Sequence, residues 1–252
     1  MEPVYASVIT FARGLFALQG LRCTINGAEN VPATGGAVMA VNHTGYLDFA
    51  LAGMAARPAG RLVRFMAKEQ VFRHPVSGPL MRAMHHIPVD RDAGAASYRA
   101  AVQALKAGEI VGVFPEATIS RSFELKEFKT GAIRMAAAAG VPLLPTVIWG
   151  SQRIWTKDHP KRLGRTRTPV MISVGTPIAV SRKDDPEMVL HSLRKSMTEL
   201  LYAAQDAYPP LTGGDLKFLP ARLGGTAPTP EQAEEMDLAE SAARAAQRDD
   251  SE

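Results

Sequence analysis

The chain has 252 residues, of which 46% are apolar and 21% charged, enough for a globular domain to bury its own core. Its single cysteine, Cys23, excludes an internal disulfide framework and any cysteine-rich metal cluster. The net charge of +4 is unevenly spread: residues 221–252 hold three basic and eight acidic side chains, leaving 26 basic against 17 acidic in residues 1–220. A basic body points to an anionic partner: nucleic acid, a membrane surface or a phosphorylated substrate.

Residues 4–20 read as an amphipathic helix, with Val4, Val8, Phe11, Leu15 and Leu18 at helical spacing and Ile9 and Phe16 widening the stripe. This helix either packs on the core of its own domain or lies in a membrane surface. No uninterrupted apolar run reaches the roughly 18 residues of a membrane span. The start also lacks a basic leader, which implies the cytoplasmic side. Short β-like runs follow at 36–41, 62–67, 86–89, 110–114, 143–149 and 170–174, with helical patterns at 47–56, 78–84, 95–107, 130–139 and 189–204. Such alternation predicts an α/β fold, a mainly parallel central sheet flanked by helices. Two prolines in VPLLP, residues 141–145, suggest an edge strand or an irregular strand start. After Tyr208 the sequence becomes irregular and then acidic. Thr229-Pro230-Glu231-Gln232 has the form of a capping box that opens a short acidic helix, although a disordered tail fits the composition as well. The division is therefore 1–26 for the N-terminal helix, 27–208 for the main domain and 209–252 for the tail.

Several chemistries leave no mark. There is no glycine-rich dinucleotide fingerprint, P-loop, zinc-binding H-E-x-x-H helix or nucleophile elbow. Aromatic residues do not interleave with the basic clusters as nucleic-acid binding would require. No histidine–cysteine–carboxylate grouping suggests a metal site.

Four segments remain. Asn42-His43-Thr44-Gly45-Tyr46-Leu47-Asp48 follows an apolar strand. Histidine and aspartate five apart diverge by about 500° on one straight helix, yet they meet if His43 lies in the loop and Asp48 in the first helical turn. Asp48 would then hold one ring nitrogen and leave the other as a base. The same spacing also suits an unrelated loop histidine and a helix-start aspartate. Phe114-Pro115-Glu116-Ala117-Thr118-Ile119-Ser120-Arg121-Ser122 also leaves a strand and gathers hydroxyls, a carboxylate and a guanidinium, either to meet an anion or to form a polar turn. Ile87-Pro88-Val89-Asp90-Arg91 is a strand followed by a charge pair, and VPLLP is the fourth segment.

In this order and at this spacing, NHTGYLD, IPVDR, FPEATIS and VPLLP resemble the four blocks of the glycerophospholipid acyltransferase family, the 1-acyl-glycerol-3-phosphate (lysophosphatidic acid) acyltransferases. The likeness runs over roughly residues 27–180. It implies transfer of a fatty acyl chain from an acyl thioester, acyl-CoA or acyl-carrier protein, to a hydroxyl of glycerol-3-phosphate or lysophosphatidic acid, with no further cofactor and no metal. By the family pattern His43 is the general base and Asp48 orients it. Arg91 and the block Glu116, Ala117, Thr118 and Ser120 bind the acceptor, with Glu116 on a hydroxyl and Lys68 and Lys129 as weaker phosphate contacts.

The chain departs from the pattern in two places. Ala117 stands where the family has glycine, and Ile119 where it has arginine, so Arg121 is the candidate to supply the missing charge. His85 and His86 stand where small residues are usual, as strand-start residues or additional acceptor contacts. Acylation of another lysolipid or a polar headgroup, thioester hydrolysis, and non-catalytic lipid binding are the alternatives. The basic run 153–167 (Arg153, Lys157, Lys161, Arg162, Arg165 and Arg167 against Asp158) suits an anionic leaflet, the donor's phosphates or a solvated loop. The expected location is the cytoplasmic face of a membrane, peripheral or monotopic, with nucleic acid set aside as a partner.

Overall fold

A computed structural model describes residues 2–90 and 94–249. Seven strands form one sheet: β1 (Arg22–Asn26), β2 (Ala37–Val41), β3 (Val63–Lys68), β4 (Ile87–Val89), β5 (Ile110–Val113), β6 (Leu143–Trp149) and β7 (Pro169–Val174), in the order β1-β7-β6-β2-β5-β3-β4. Every neighbouring pair is parallel except β6 and β7. The helices are α1 (Pro3–Gln19), α2 (Asp48–Ala56), α3 (Glu69–Arg73), α4 (Ser77–Ala83), α5 (Gly94–Lys106), α6 (Gly131–Ala139), α7 (Pro186–Asp206) and α8 (Pro230–Asp249).

The central strands read as continuous apolar runs because both faces of the sheet are covered. In β2, Val38 and Ala40 pack on one side with residues of α5, α6 and α7, while Ala37, Met39 and Val41 pack on the other with α2. In β6, Leu143, Val147 and Trp149 join the first cluster, and Leu144 and Ile148 the second. The strand period of two therefore divides one sequence between two cores.

β6 is an interior strand, so of the two readings of its prolines the edge is excluded and the irregular strand start remains. Pro145 pairs with Ala40 and falls between the Leu143–Ile178 bridge and the β7 ladder, which begins at Thr146. Its missing N–H therefore interrupts no ladder bond on that side. Much of the predicted apolar stripe of α1 faces outward, with Phe11 68% exposed and Leu18 75%, while Val8 and Ile9 are half-buried. The helix docks by the edge of the stripe that Ile9 and Phe16 widen, together with Tyr5. Tyr5 and Phe16 are buried, and the Tyr5 hydroxyl donates to the Val63 carbonyl at 2.7 Å. Glu2 reaches the buried Arg64, which also donates to Glu109 and to the Met84 carbonyl.

The C-terminal region contains a helix of 20 residues, α8, over the span the capping box opens, rather than the disordered tail that its composition also allowed. Its capping box forms: Thr229 N–H donates to Gln232 Oε1 at 2.9 Å, and Gln232 N–H to Thr229 Oγ1 at 3.3 Å. Among the described residues no helix is long and apolar enough to cross a membrane.

Candidate active site

β2 and β5 are parallel neighbours, so the loops at their C-terminal ends lie side by side, the position where ligand sites collect in open α/β sheets. The first loop carries His43 and the second begins at Phe114. Asn42 fixes the first at its root: its side chain donates to the Ile148 carbonyl at 3.0 Å and accepts the Ile148 N–H at 2.7 Å, clamping the end of β2 to β6. The chain then turns into α2, and Asp48 occupies the first turn of that helix.

This geometry brings His43 and Asp48 together. His43 Nδ1 lies 3.1 Å from Asp48 Oδ2. The same carboxylate oxygen accepts the backbone N–H groups of Thr44 at 2.7 Å and Gly45 at 2.8 Å, and Asp48 is wholly buried. One carboxylate oxygen thus faces three donors at the start of a helix. As an acceptor it fixes the proton of His43 on Nδ1, so the lone pair resides on Nε2. The imidazole stacks on Phe114, with centroids 4.1 Å apart and ring planes 21° apart, and its side chain keeps 20% of its surface exposed.

A third segment supports the first loop from outside. Tyr46 N–H donates to the Trp155 carbonyl at 2.9 Å, and Thr156 Oγ1 donates to the Thr44 carbonyl at 2.7 Å. Gly45 is pressed against this segment. A Cβ there would stand 3.0 Å from the Trp155 carbonyl oxygen and 3.1 Å from that of Ser151.

The Glu116 block forms a brace. Glu116 Oε1 accepts the His43 N–H at 2.9 Å and Oε2 the Lys126 N–H at 3.2 Å, while Ser120 N–H donates to the His43 carbonyl at 2.7 Å. Glu116 is only 4% exposed, and burial pushes its carboxyl up to about 8, outweighing the two backbone donors and Lys126. Both its oxygens thus face backbone rather than open space. Ala117 is exposed at the tip of the turn with φ of 61°, the left-handed region that glycine adopts without cost. This is a physical reason for the glycine in the family pattern. Ile119, at the pattern's arginine, is buried.

The remaining candidates are more scattered. Thr118 Oγ1 accepts from Lys126 Nζ at 2.8 Å. Ser120 is fully buried, its hydroxyl donating to the Glu124 carbonyl at 2.7 Å. The Arg121 guanidinium is engaged by Asp158, Asp237 and Glu240. Lys129 is exposed, and its N–H holds the Pro115 carbonyl. Lys68 is exposed at the end of β3, paired in register with Val89. Arg91 lies outside the described residues.

His86 is buried, and its Nδ1 accepts the Phe65 N–H at 3.0 Å; burial and Arg64 hold it down at about 4, a neutral strand-start residue. Sequence reasoning missed the clamp of Asn42 and the ring of Phe114. Asn42 sits inside the first motif, but its partner Ile148 is too far along the chain for any local signal.

The comparisons with known proteins agree with this architecture. A family model described as Acyltransferase matches residues 22–149, half of the chain, and the chain belongs to that family. It is 36% identical over 123 residues to the 1-acyl-sn-glycerol-3-phosphate acyltransferase of Bacillus subtilis, a match covering 48% of this chain and 60% of that protein. It is 27% identical over 150 residues to the protein of the same name from Borreliella burgdorferi, covering 56% of each. The matched segment thus spans less than two thirds of either relative. Its fold is similar to the crystal structure of the 1-acyl-sn-glycerophosphate (LPA) acyltransferase PlsC from Thermotoga maritima, with a TM-score of 0.68, 21% identity and 81% of each chain covered.

Proposed function

We propose that this protein transfers a fatty acyl chain from a thioester, acyl-CoA or an acyl-carrier protein, to a hydroxyl of lysophosphatidic acid or glycerol-3-phosphate. The observation that carries the reading is the His43–Asp48 pair, with Asp48 locked by backbone donors and the second ring nitrogen of His43 left as a base. The acceptor hydroxyl attacks the thioester carbonyl while His43 Nε2 takes its proton. The tetrahedral oxyanion collapses, the carbon–sulfur bond breaks, and the thiolate leaves with the proton from the imidazolium. The products are an ester and a free thiol. No side-chain nucleophile enters.

General-base help of this kind contributes about 10²–10⁴-fold. Glu116 acts as a positioning residue, since it holds the backbone of His43. The names of the bacterial relatives support a glycerol phosphate acceptor. The exposed apolar side of α1 supports a bilayer as the place where donor and product chains reside.

The test is acyl transfer by the purified full chain with defined acyl-CoAs and acyl-carrier proteins, offered glycerol-3-phosphate or each monoacyl isomer, with products read by mass spectrometry. His43→Ala is expected to lower kcat by about 10²–10⁴-fold with KM for the acceptor little changed, and Asp48→Asn to lower it through loss of the held tautomer. No turnover with any acceptor, or hydrolysis alone, would overturn the reading.

A further inference from the structure

Beyond the segment matched by the family, the chain ends in α8, which carries Glu231, Glu234, Glu235, Asp237, Glu240 and Asp249. Little apolar contact holds it. Among its described side chains only Ala233 is buried, and Leu238 is 66% exposed. Charge holds it instead. Asp237 contacts Arg121 and Lys126 closely and Lys157 at 3.3 Å, while Glu240 meets Arg121 at 2.9 Å and Lys157 at 3.0 Å.

The three cations belong to the body of the protein. Arg121 and Lys126 lie on the loop that braces His43; Lys126 also bonds Thr118 through Nζ and Glu116 through its N–H. Lys157 comes from the segment after β6. Arg121 has one further partner in the body, Asp158 at 2.5 Å. With α8 docked, the three cations face Asp158, Asp237 and Glu240, and Lys126 also lies near Glu116 and Glu234. With α8 away, Asp158 and Glu116 remain, and with the Glu116 carboxyl protonated below about 8 the cluster keeps two positive charges in excess. A phosphate monoester carries about −1.5 to −2 charge at neutral pH, and a guanidinium fork beside two ammonium groups is the donor set that binds it.

We infer that Arg121, Lys126 and Lys157 form a phosphate-binding site, and that Asp237 and Glu240 occupy it as a tethered competitor which a phosphate monoester displaces. The inference rests on the proposed acyl transfer only for which phosphate-bearing molecule arrives, a free phosphate ester or a lipid headgroup. Binding and docking are mutually exclusive, so each opposes the other by the same factor. A short tether gives the carboxylates an effective concentration in the millimolar range, which sets the ligand level needed to open the site.

Amide hydrogen exchange of residues 233–243 in the full chain tests this. The protein is compared alone, with inorganic phosphate, with glycerol-3-phosphate, and with phosphatidylcholine vesicles with or without phosphatidic acid, against sodium chloride at matched ionic strength. A several-fold, saturable loss of protection with the soluble phosphates identifies a free phosphate ester; loss confined to phosphatidic acid vesicles identifies a headgroup. The double variant Asp237→Asn/Glu240→Gln should bind its phosphate probe roughly fivefold or more tightly. Protection indifferent to every phosphate, an equal response to chloride, or unchanged affinity in the variant would each overturn the inference. None of these measurements needs turnover. A chain without acyl transfer sinks the proposed function alone, and an active chain whose α8 ignores phosphate sinks this inference alone.

Discussion

Glu116 accepts two backbone N–H groups, yet it is so deeply buried that its carboxyl titrates near 8. In the unfolded chain the same group ionises near its ordinary 4.5. Its contribution to stability is therefore fully present below pH 4.5 and falls as pH rises to about 8, because only the unfolded state releases the proton in that window. Glu116→Gln abolishes this dependence and sets an amide NH2 against one of the two N–H donors, at a cost of about 1–3 kcal/mol. Urea unfolding at pH 5, 6.5 and 8 should show the gap between wild type and variant narrowing as pH rises and then changing sign, the variant becoming the more stable by pH 8; a constant gap would mean that Glu116 titrates as an exposed carboxylate. Ala117 offers a test of the opposite sign. A left-handed alanine costs about 1–2 kcal/mol, partly offset by the greater freedom of glycine in the unfolded chain, about 0.4–1 kcal/mol. Ala117→Gly should raise Tm by roughly 1–4 °C, measured by calorimetry, and a fall would show that the turn favours alanine.

Helix α1 shows what an apolar period leaves undecided. Val4, Val8, Phe11, Leu15 and Leu18 recur at helical spacing with Ile9 and Phe16 beside them, but only the Phe16 edge, with Tyr5, is buried, while Val4, Phe11, Leu15 and Leu18 are exposed. The period announces an amphipathic helix without saying which surface the sheet covers. If the stripe meets lipid, each large side chain inserted contributes about 1.5–3 kcal/mol. Phe11→Ser/Leu18→Ser should then reduce vesicle partitioning roughly tenfold or more in flotation assays, while the unfolding midpoint stays in place because neither side chain is buried. Unaltered flotation would remove α1 from any membrane contact. Strand β1 and helix α3 left no sequence signal. Arg22–Asn26 is a five-residue edge strand of mixed polarity, and Glu69–Arg73 is too short to display a period. The loop motifs were legible because their chemistry is local: His43 and Asp48 need only a loop followed by a helix start. The brace of Glu116 was not, because it joins loops 73 residues apart.

At the scale of the whole molecule, part of the charge split visible in the sequence proves to be an internal pairing. Arg121, Lys126 and Lys157 of the basic body meet Asp237 and Glu240 of the acidic end, while Arg153 and Arg162 meet Asp215 within the body itself. The sheet draws the two halves of the chain together in the same way. β1 pairs with β7 alone, Arg22 standing beside Pro169. During synthesis, at about 5–20 residues per second, the first strand must therefore wait on the order of ten seconds before its partner leaves the ribosome. Throughout that interval the N-terminal helix, with Phe11 and Leu18 uncovered, precedes the domain that will anchor it. The nascent chain thus presents the exposed apolar side of α1 before the sheet closes, when a bilayer or a chaperone can reach it.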